Sequence, residues 1–115
     1  MTNEEWLEEA KKYYPGWWEI IERLDKQLQM VFPDGYTIEQ IKEKFGTLRY
    51  YWAAPQDASV DNMKLARGCV STAESDSKRV CMVCGDTGKH HTEVSWHCTL
   101  CDDCFNEEYP EEKKQ

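Results

Sequence analysis

The segments Cys81-Met82-Val83-Cys84-Gly85 and Cys98-Thr99-Leu100-Cys101-Asp102-Asp103-Cys104 decide how this chain must fold. A two-residue spacer lets two thiolates meet one ion from a tight turn, and Gly85 permits the positive φ such a turn uses. Cys-x-x-Cys pairs set roughly 12–20 residues apart are a zinc signature. Two registers are open. Cys81 and Cys84 can join Cys98 and Cys101 across 13 residues, or Cys101 and Cys104 across 16. The second lies in the usual window of roughly 15–20 residues. The expected ligands are therefore Cys81, Cys84, Cys101 and Cys104, around one structural Zn2+. His90, His91 and His97 are rival ligands, but four thiols suffice, and these histidines are expected at the surface. Cys98 and Cys69 are expected to stay unmetallated, Cys69 as a half-buried thiol on a helix.

Four thiolates close a tetrahedral shell and quench the ion's Lewis acidity, whereas a catalytic zinc keeps a position for water. His91-Thr92-Glu93 matches half of a zinc deaminase signature. Glu93 lies too close to Cys98 for that fold, and no proline precedes the cysteine pair. A thioredoxin-like role for Cys81 and Cys84 needs a βαβ context that the sequence lacks. There is no phosphate loop, nucleophile elbow or kinase signature. The chain reads as a non-enzyme.

The rest of the composition explains why a metal staple is needed. Leu, Ile, Val and Phe make up only 19 of the 115 residues, and the formal net charge is -8. Those values approach a disordered composition. Five Trp and six Tyr argue instead for a folded chain with a thin aliphatic core. No apolar run is long enough to span a membrane. The acidic opening Met1-Thr2-Asn3-Glu4-Glu5-Trp6 has no leader character, so a cytoplasmic protein is expected, with metal sites rather than disulfides, and a monomer.

Upstream of the cysteines the pattern is mostly helical. Asn3 can cap a helix with acids in its first turn and Trp6, Leu7, Ala10 and Tyr13/Tyr14 along one face. Pro15-Gly16 stops it. A second helix is expected from Trp17 to Val31, carrying Ile20, Ile21, Leu24 and Leu28. Thr37-Ile38-Glu39-Gln40 has capping-box form and predicts a short helix bearing Ile38, Ile41 and Phe45, ended by Gly46. Thr47-Leu48-Arg49-Tyr50-Tyr51-Trp52 predicts a strand, with Leu48 and Tyr50 on one side and Arg49 and Tyr51 on the other. A third long helix is expected over Val60 to Ser75, weakened by Gly68, followed by a polar linker Ser75-Asp76-Ser77-Lys78. The fold class is thus α+β: a helical part with a short aromatic strand (1–77), then a four-cysteine zinc-knuckle or ribbon module with an acidic tail (78–115).

Charge narrows the partner. Asp102, Asp103, Glu107, Glu108, Glu111 and Glu112 fall between Cys101 and Glu112 with no basic residue among them. Four thiolates on one Zn2+ add a further -2, taking the total to about -10. A zinc finger that grips phosphates shows the opposite sign, so direct nucleic-acid binding is not expected. An acidic surface instead suits a basic, nucleic-acid-binding face on another protein. Without such a partner, the same acids form a solvated tail. The aromatic run from Phe45 to Trp52 reads mainly as core, with Arg49 its most interesting member.

Lys42-Glu43-Lys44-Phe45-Gly46-Thr47-Leu48-Arg49-Tyr50-Tyr51, then Cys81-x-x-Cys84-Gly85, then Trp96 and Thr99-Leu100-Cys101-x-x-Cys104, resembles a family of small phage and prophage zinc-binding proteins. That family's usual pattern is K-E-K-F-G-G-L-R-F-Y, then C-x-x-C-G and W-x-x-T-L-C-x-x-[HC]. The resemblance spans Trp17 to Cys104 and implies metal ligation by Cys81, Cys84, Cys101 and Cys104. Thr47 departs from the second Gly, Cys104 stands where His is frequent, and Cys98 falls where the family usually has no cysteine. The sequence is also similar to zinc-containing anti-CRISPR inhibitors of type II-A Cas9. This similarity implies a stoichiometric inhibitor that blocks Cas9 from engaging DNA. The alternative is a zinc-dependent adaptor with another partner.

Overall fold

The computed structural model describes residues 1–92 and 97–109. Glu93 and Trp96, and the tail acids Glu111 and Glu112, lie outside the described residues. The described architecture is α+β, with four α-helices and two antiparallel two-stranded sheets.

Helix α1 (Asn3–Tyr13) is capped by Thr2, one residue earlier than expected. Thr2 Oγ1 accepts from the Glu5 amide at 3.1 Å, and Glu5 Oε1 accepts from the Thr2 amide at 2.9 Å. This reciprocal box satisfies two donors at once, which Asn3 followed by Trp6 could not do. Asn3 is left to tie α1 to the next layer. Its Nδ2 donates to the Tyr36 carbonyl and its Oδ1 accepts from the Ile38 amide, both at 2.8 Å. A 3-10 turn, Pro15–Trp17, leads into α2 (Trp18–Val31), which buries Ile20, Ile21, Leu24 and Leu28 along the expected face.

Residues predicted as the short helix form instead the strand β1 (Thr37–Lys44), paired antiparallel with β2 (Thr47–Ala53). The register explains the misreading. Ile38 faces Trp52 and Ile41 faces Tyr50, with an irregularity between Ile38 and Gln40. The extra residue of this bulge puts two isoleucines three apart on one buried face, and that spacing imitates a helix. Gly46 is therefore not a helix cap. Phe45 (φ 54°) and Gly46 (φ 81°) form the two-residue hairpin turn, with positive φ at both positions.

Leu48 and Tyr50 are buried, whereas Tyr51 is 41% exposed, so β2 splits its faces as the alternation predicts. The outer edge of β2 is closed by side chains rather than by a third strand. Glu74 Oε2 accepts from the Tyr50 amide and Ser77 Oγ from the Leu48 amide, both at 2.9 Å. Glu74 belongs to α3 (Val60–Asp76), which Ser59 caps and which buries Ala66, Val70 and Ala73. The expected polar linker is thus the end of α3 plus a 3-10 turn, Ser77–Arg79, and Ser77 is fully buried there. Its hydroxyl is needed by the strand edge, and this overrides the polar composition.

A polar cluster lies inside this core. Tyr36 Oη donates to Asp25 Oδ1 at 2.5 Å and lies 2.6 Å from Tyr50 Oη; Gln29 Nε2 donates to Asp25 Oδ2 at 2.6 Å. Burial pushes both phenols above the ordinary tyrosine range. For Tyr50 the hydrogen bond to Tyr36 works in the opposite direction.

The C-terminal part adds β3 (Lys89–His91), β4 (Cys98–Leu100) and α4 (Asp102–Glu108). His91 pairs with Cys98, and Lys89 with Leu100. Its apolar core is Cys81, Cys98, Leu100 and Phe105, with Met82 touching both this core and the N-terminal one.

Candidate metal centre

The site is assembled from two turns and a helix start. After Val80, the chain turns back so that the Gly85 amide donates to the Cys81 carbonyl at 3.0 Å and the Cys81 amide to the Asp86 carbonyl at 2.7 Å. Gly85 has φ 87°, as this turn requires. The second pair begins where β4 ends. Cys101 is the N-cap of α4, and its Sγ accepts from the Cys104 amide at 3.4 Å. Helix geometry then places Cys104 one turn on, facing the same point.

The Sγ atoms of Cys81, Cys84, Cys101 and Cys104 all lie within 4.8 Å of one another. Cys84 and Cys101 are 3.6 Å apart, sulfur to sulfur. A tetrahedron with metal–sulfur bonds of about 2.3 Å has edges of about 3.8 Å, so the four thiols can hold one metal ion. The structure brings together the Cys101/Cys104 register. Cys98 lies in β4 as part of the small core, and Cys69 is half-buried on α3. Both remain outside the cluster.

The sulfurs share their protons unequally. Burial raises the Cys81 thiol, but backbone donors at Cys84, Cys101 and Val83 outweigh it and bring it to about 7. Hydrogen bonding to the Cys101 thiol pushes Cys104 up. Cys84 is also raised. The Asp86 amide pulls it down, but burial and the Cys101 and Cys81 thiols together prevail. Several thiols this close cannot all ionise without a cation among them.

The histidines do not behave as one group. His91 is buried rather than superficial: its ring stacks on Phe105 at 3.9 Å, and its Nε2 lies 3.2 Å from the Leu100 carbonyl oxygen. His90 and His97 are ring neighbours at 5.4 Å, and His97 also lies 5.9 Å from Phe45 at the hairpin tip.

Sequence reasoning missed the residues that join the site to the body. A Cβ on Gly16 would stand 2.0 Å from the Cys81 carbonyl oxygen, so the knuckle backbone lies directly on this glycine. The Gly16 amide donates to the Met82 carbonyl at 2.9 Å, and Trp17 Nε1 donates to the Val80 carbonyl at 2.8 Å. At the other end, Thr99 Oγ1 donates to the Gly46 carbonyl at 2.7 Å. Pro15-Gly16 reads locally as a helix stop, which hides its role as a floor for residues 65 positions away.

Of the predicted acidic contact residues, Asp102 and Asp103 are exposed in the first turn of α4, where they suit the helix dipole. Asp102 lies 3.6 Å from Lys89, with both side chains solvated. Glu107 and Glu108 are exposed on the same helix and line a cleft of about 350 Å3 that also includes Tyr13, Glu43, Leu100 and Tyr109. These features define an α+β protein with a cluster of four thiols that could hold one metal ion. No family model, curated protein or solved structure matches the chain.

Proposed function

We propose that this chain is a non-enzymatic, zinc-stabilised inhibitor that binds a host nucleic-acid-processing protein, with Cas9 as the foremost candidate. The observation that carries the reading is the four-thiol shell. A tetrahedral Zn2+ held by four sulfurs has no position left for a substrate or water, so the ion's part is to hold the fold. Zinc is a metal that suits such a soft, tetrahedral set. The proposed contact is acidic. Glu107 and Glu108 line a cleft with apolar and aromatic walls, which suits the stem and head of a basic side chain on a partner. The phage origin and the choice of Cas9 rest on the sequence resemblance alone. Cas9 offers basic channels for the heteroduplex and the displaced strand, so an acidic ligand is physically reasonable there.

The test is a DNA-binding assay with purified Cas9 and guide, titrated with this protein. One equivalent is expected to abolish DNA capture. Glu107→Lys with Glu108→Lys is expected to weaken inhibition about tenfold or more and to reduce its salt sensitivity. No effect of the native protein at tenfold excess removes Cas9 as the partner. Inhibition unchanged in the double variant removes the electrostatic account.

A further inference from the structure

The net charge of -8 conceals one basic face. On the sheet formed by β1 and β2, Ile38, Ile41, Leu48 and Tyr50 are buried in the core. The register puts Lys42 directly opposite Arg49, on the other face, with Tyr51 two residues along β2 and Lys44 two along β1. Among the described residues, none of these three cations has a carboxylate partner. The ion pairs there are Arg23–Asp76, Lys26–Glu22, Arg79–Asp76 and Lys89–Asp102. Aromatic rings lie between the charges instead. Lys42 Nζ is 5.7 Å from the centre of the Tyr51 ring, and Lys44 Nζ is 5.7 Å from that of Phe45. Phe45 is 62% exposed at the tip.

Folding does not explain this arrangement. Like charges directly opposite each other destabilise a strand pair. Arg49 Nε is enclosed with no acceptor, so an anion on this face would meet the guanidinium through its other nitrogens. An anion across Lys42 and Arg49 would relieve the repulsion, and a flat base would find exposed rings beside them.

We propose that the solvent face of the hairpin, built from Lys42, Lys44, Phe45, Arg49 and Tyr51, binds a short stretch of single-stranded nucleic acid. Phosphates meet the three cations, and bases stack on Tyr51 and Phe45. Single strands are favoured over duplex because unpaired bases offer their faces to aromatic side chains on a sheet. They are favoured over an acidic peptide because carboxylates make no use of the rings. The site is small. With about three phosphates neutralised, the slope of log K against log salt for a single strand is about -2. The acids elsewhere on the chain keep the attraction local. The proposal is independent of the inhibitor reading, since it requires no protein partner.

The experiment is fluorescence anisotropy of a labelled ten-residue oligothymidylate with the zinc-loaded full chain, from 20 to 200 mM salt. Binding is expected to weaken about 100-fold over that range. Lys42→Gln with Lys44→Gln is expected to bring the slope to about -0.7, and Tyr51→Ala to weaken binding roughly tenfold. All three side chains are at least partly exposed, and circular dichroism with metal analysis confirms that the variants are folded. Absence of binding at 20 mM salt overturns the proposal, as does a slope near -2 in the lysine double variant. Displacement of the oligonucleotide by deca-glutamate at equal concentration, or indifference to Tyr51→Ala, assigns the face to an acidic protein segment and overturns it equally.

Discussion

The body up to residue 79 and the cysteine segment from 80 to 109 solve the same shortage of aliphatic side chains in different ways. The body fills its interior with large pieces. Trp17, Phe32, Tyr36 and Tyr50 stand among Ile20, Ile21, Leu24, Leu28, Ile38, Ile41 and Leu48. Among the described residues, the small core of the cysteine segment is Leu100 and Phe105 with Cys81 and Cys98. Its strands are three residues long and its helix seven. Such elements are far below what holds together through packing alone. One region is held by what it excludes from water; the other brings four sulfurs to a point where one metal ion could bind. At Gly16 and at Gly46 the two regions meet backbone against backbone.

Metal removal gives the largest effect and the sharpest test of this contrast. Structural zinc in small modules contributes an apparent ~10–16 kcal/mol at neutral pH, most of it coupled to folding. Chelation should abolish amide protection over residues 80–109 while the amides of α2 and β2 stay protected. If the far-UV spectrum, melting temperature and exchange pattern survive chelation, the two regions do not differ as described. The converse change is Leu28→Ala, which opens a cavity in the body and should cost about 2–5 kcal/mol in denaturant unfolding. Zinc content should stay at one per chain, with two thiols still titratable. Loss of zinc in that variant would show that the regions do not stand apart.

Gly16→Ala should disturb both regions at once. A methyl group 2.0 Å from the Cys81 carbonyl must push the knuckle away, at a cost of about 1–3 kcal/mol. Zinc affinity, read by competition with a chromogenic chelator, should fall in parallel. Alkaline pH should act on the body through its buried phenols. Burial raises the Tyr36 and Tyr50 phenols, so the folded state binds these protons more tightly than the unfolded chain does. Their contribution is complete below the unfolded value of about 10 and is lost as pH rises beyond it. The slope is up to about 1.4 kcal/mol per pH unit for each phenol. Tyr50→Phe should flatten that slope; an unchanged slope would place the alkaline sensitivity elsewhere.

Much of this division is legible in the sequence. The helical faces of α2 and α3, the alternation in β2 and the pairing of Cys81/Cys84 with Cys101/Cys104 all follow from spacing. Strand β1 does not, because the bulge near Glu39 sets Ile38 and Ile41 three apart and Thr37 with Gln40 imitates a cap. The hairpin turn is equally hidden. Phe45 takes a positive φ that favours Gly or Asn, so the segment lacks the usual two-residue turn signal. Ser77 reads as linker because its partner, the Leu48 amide, lies 29 positions away. What escapes the sequence in each case is a long-range demand on a locally ambiguous residue.

The bonds from Trp17 to Val80 and from Gly46 to Thr99 span 63 and 53 positions. Contacts of such separation form slowly, and a growing chain cannot make them until its later half exists. The body's own helices and hairpin need none of these contacts to form. The body then offers Gly16 and the hairpin tip as a ready mould. If the four-thiol cluster closes by capturing an ion, a cell short of metal would hold a finished body trailing five thiols.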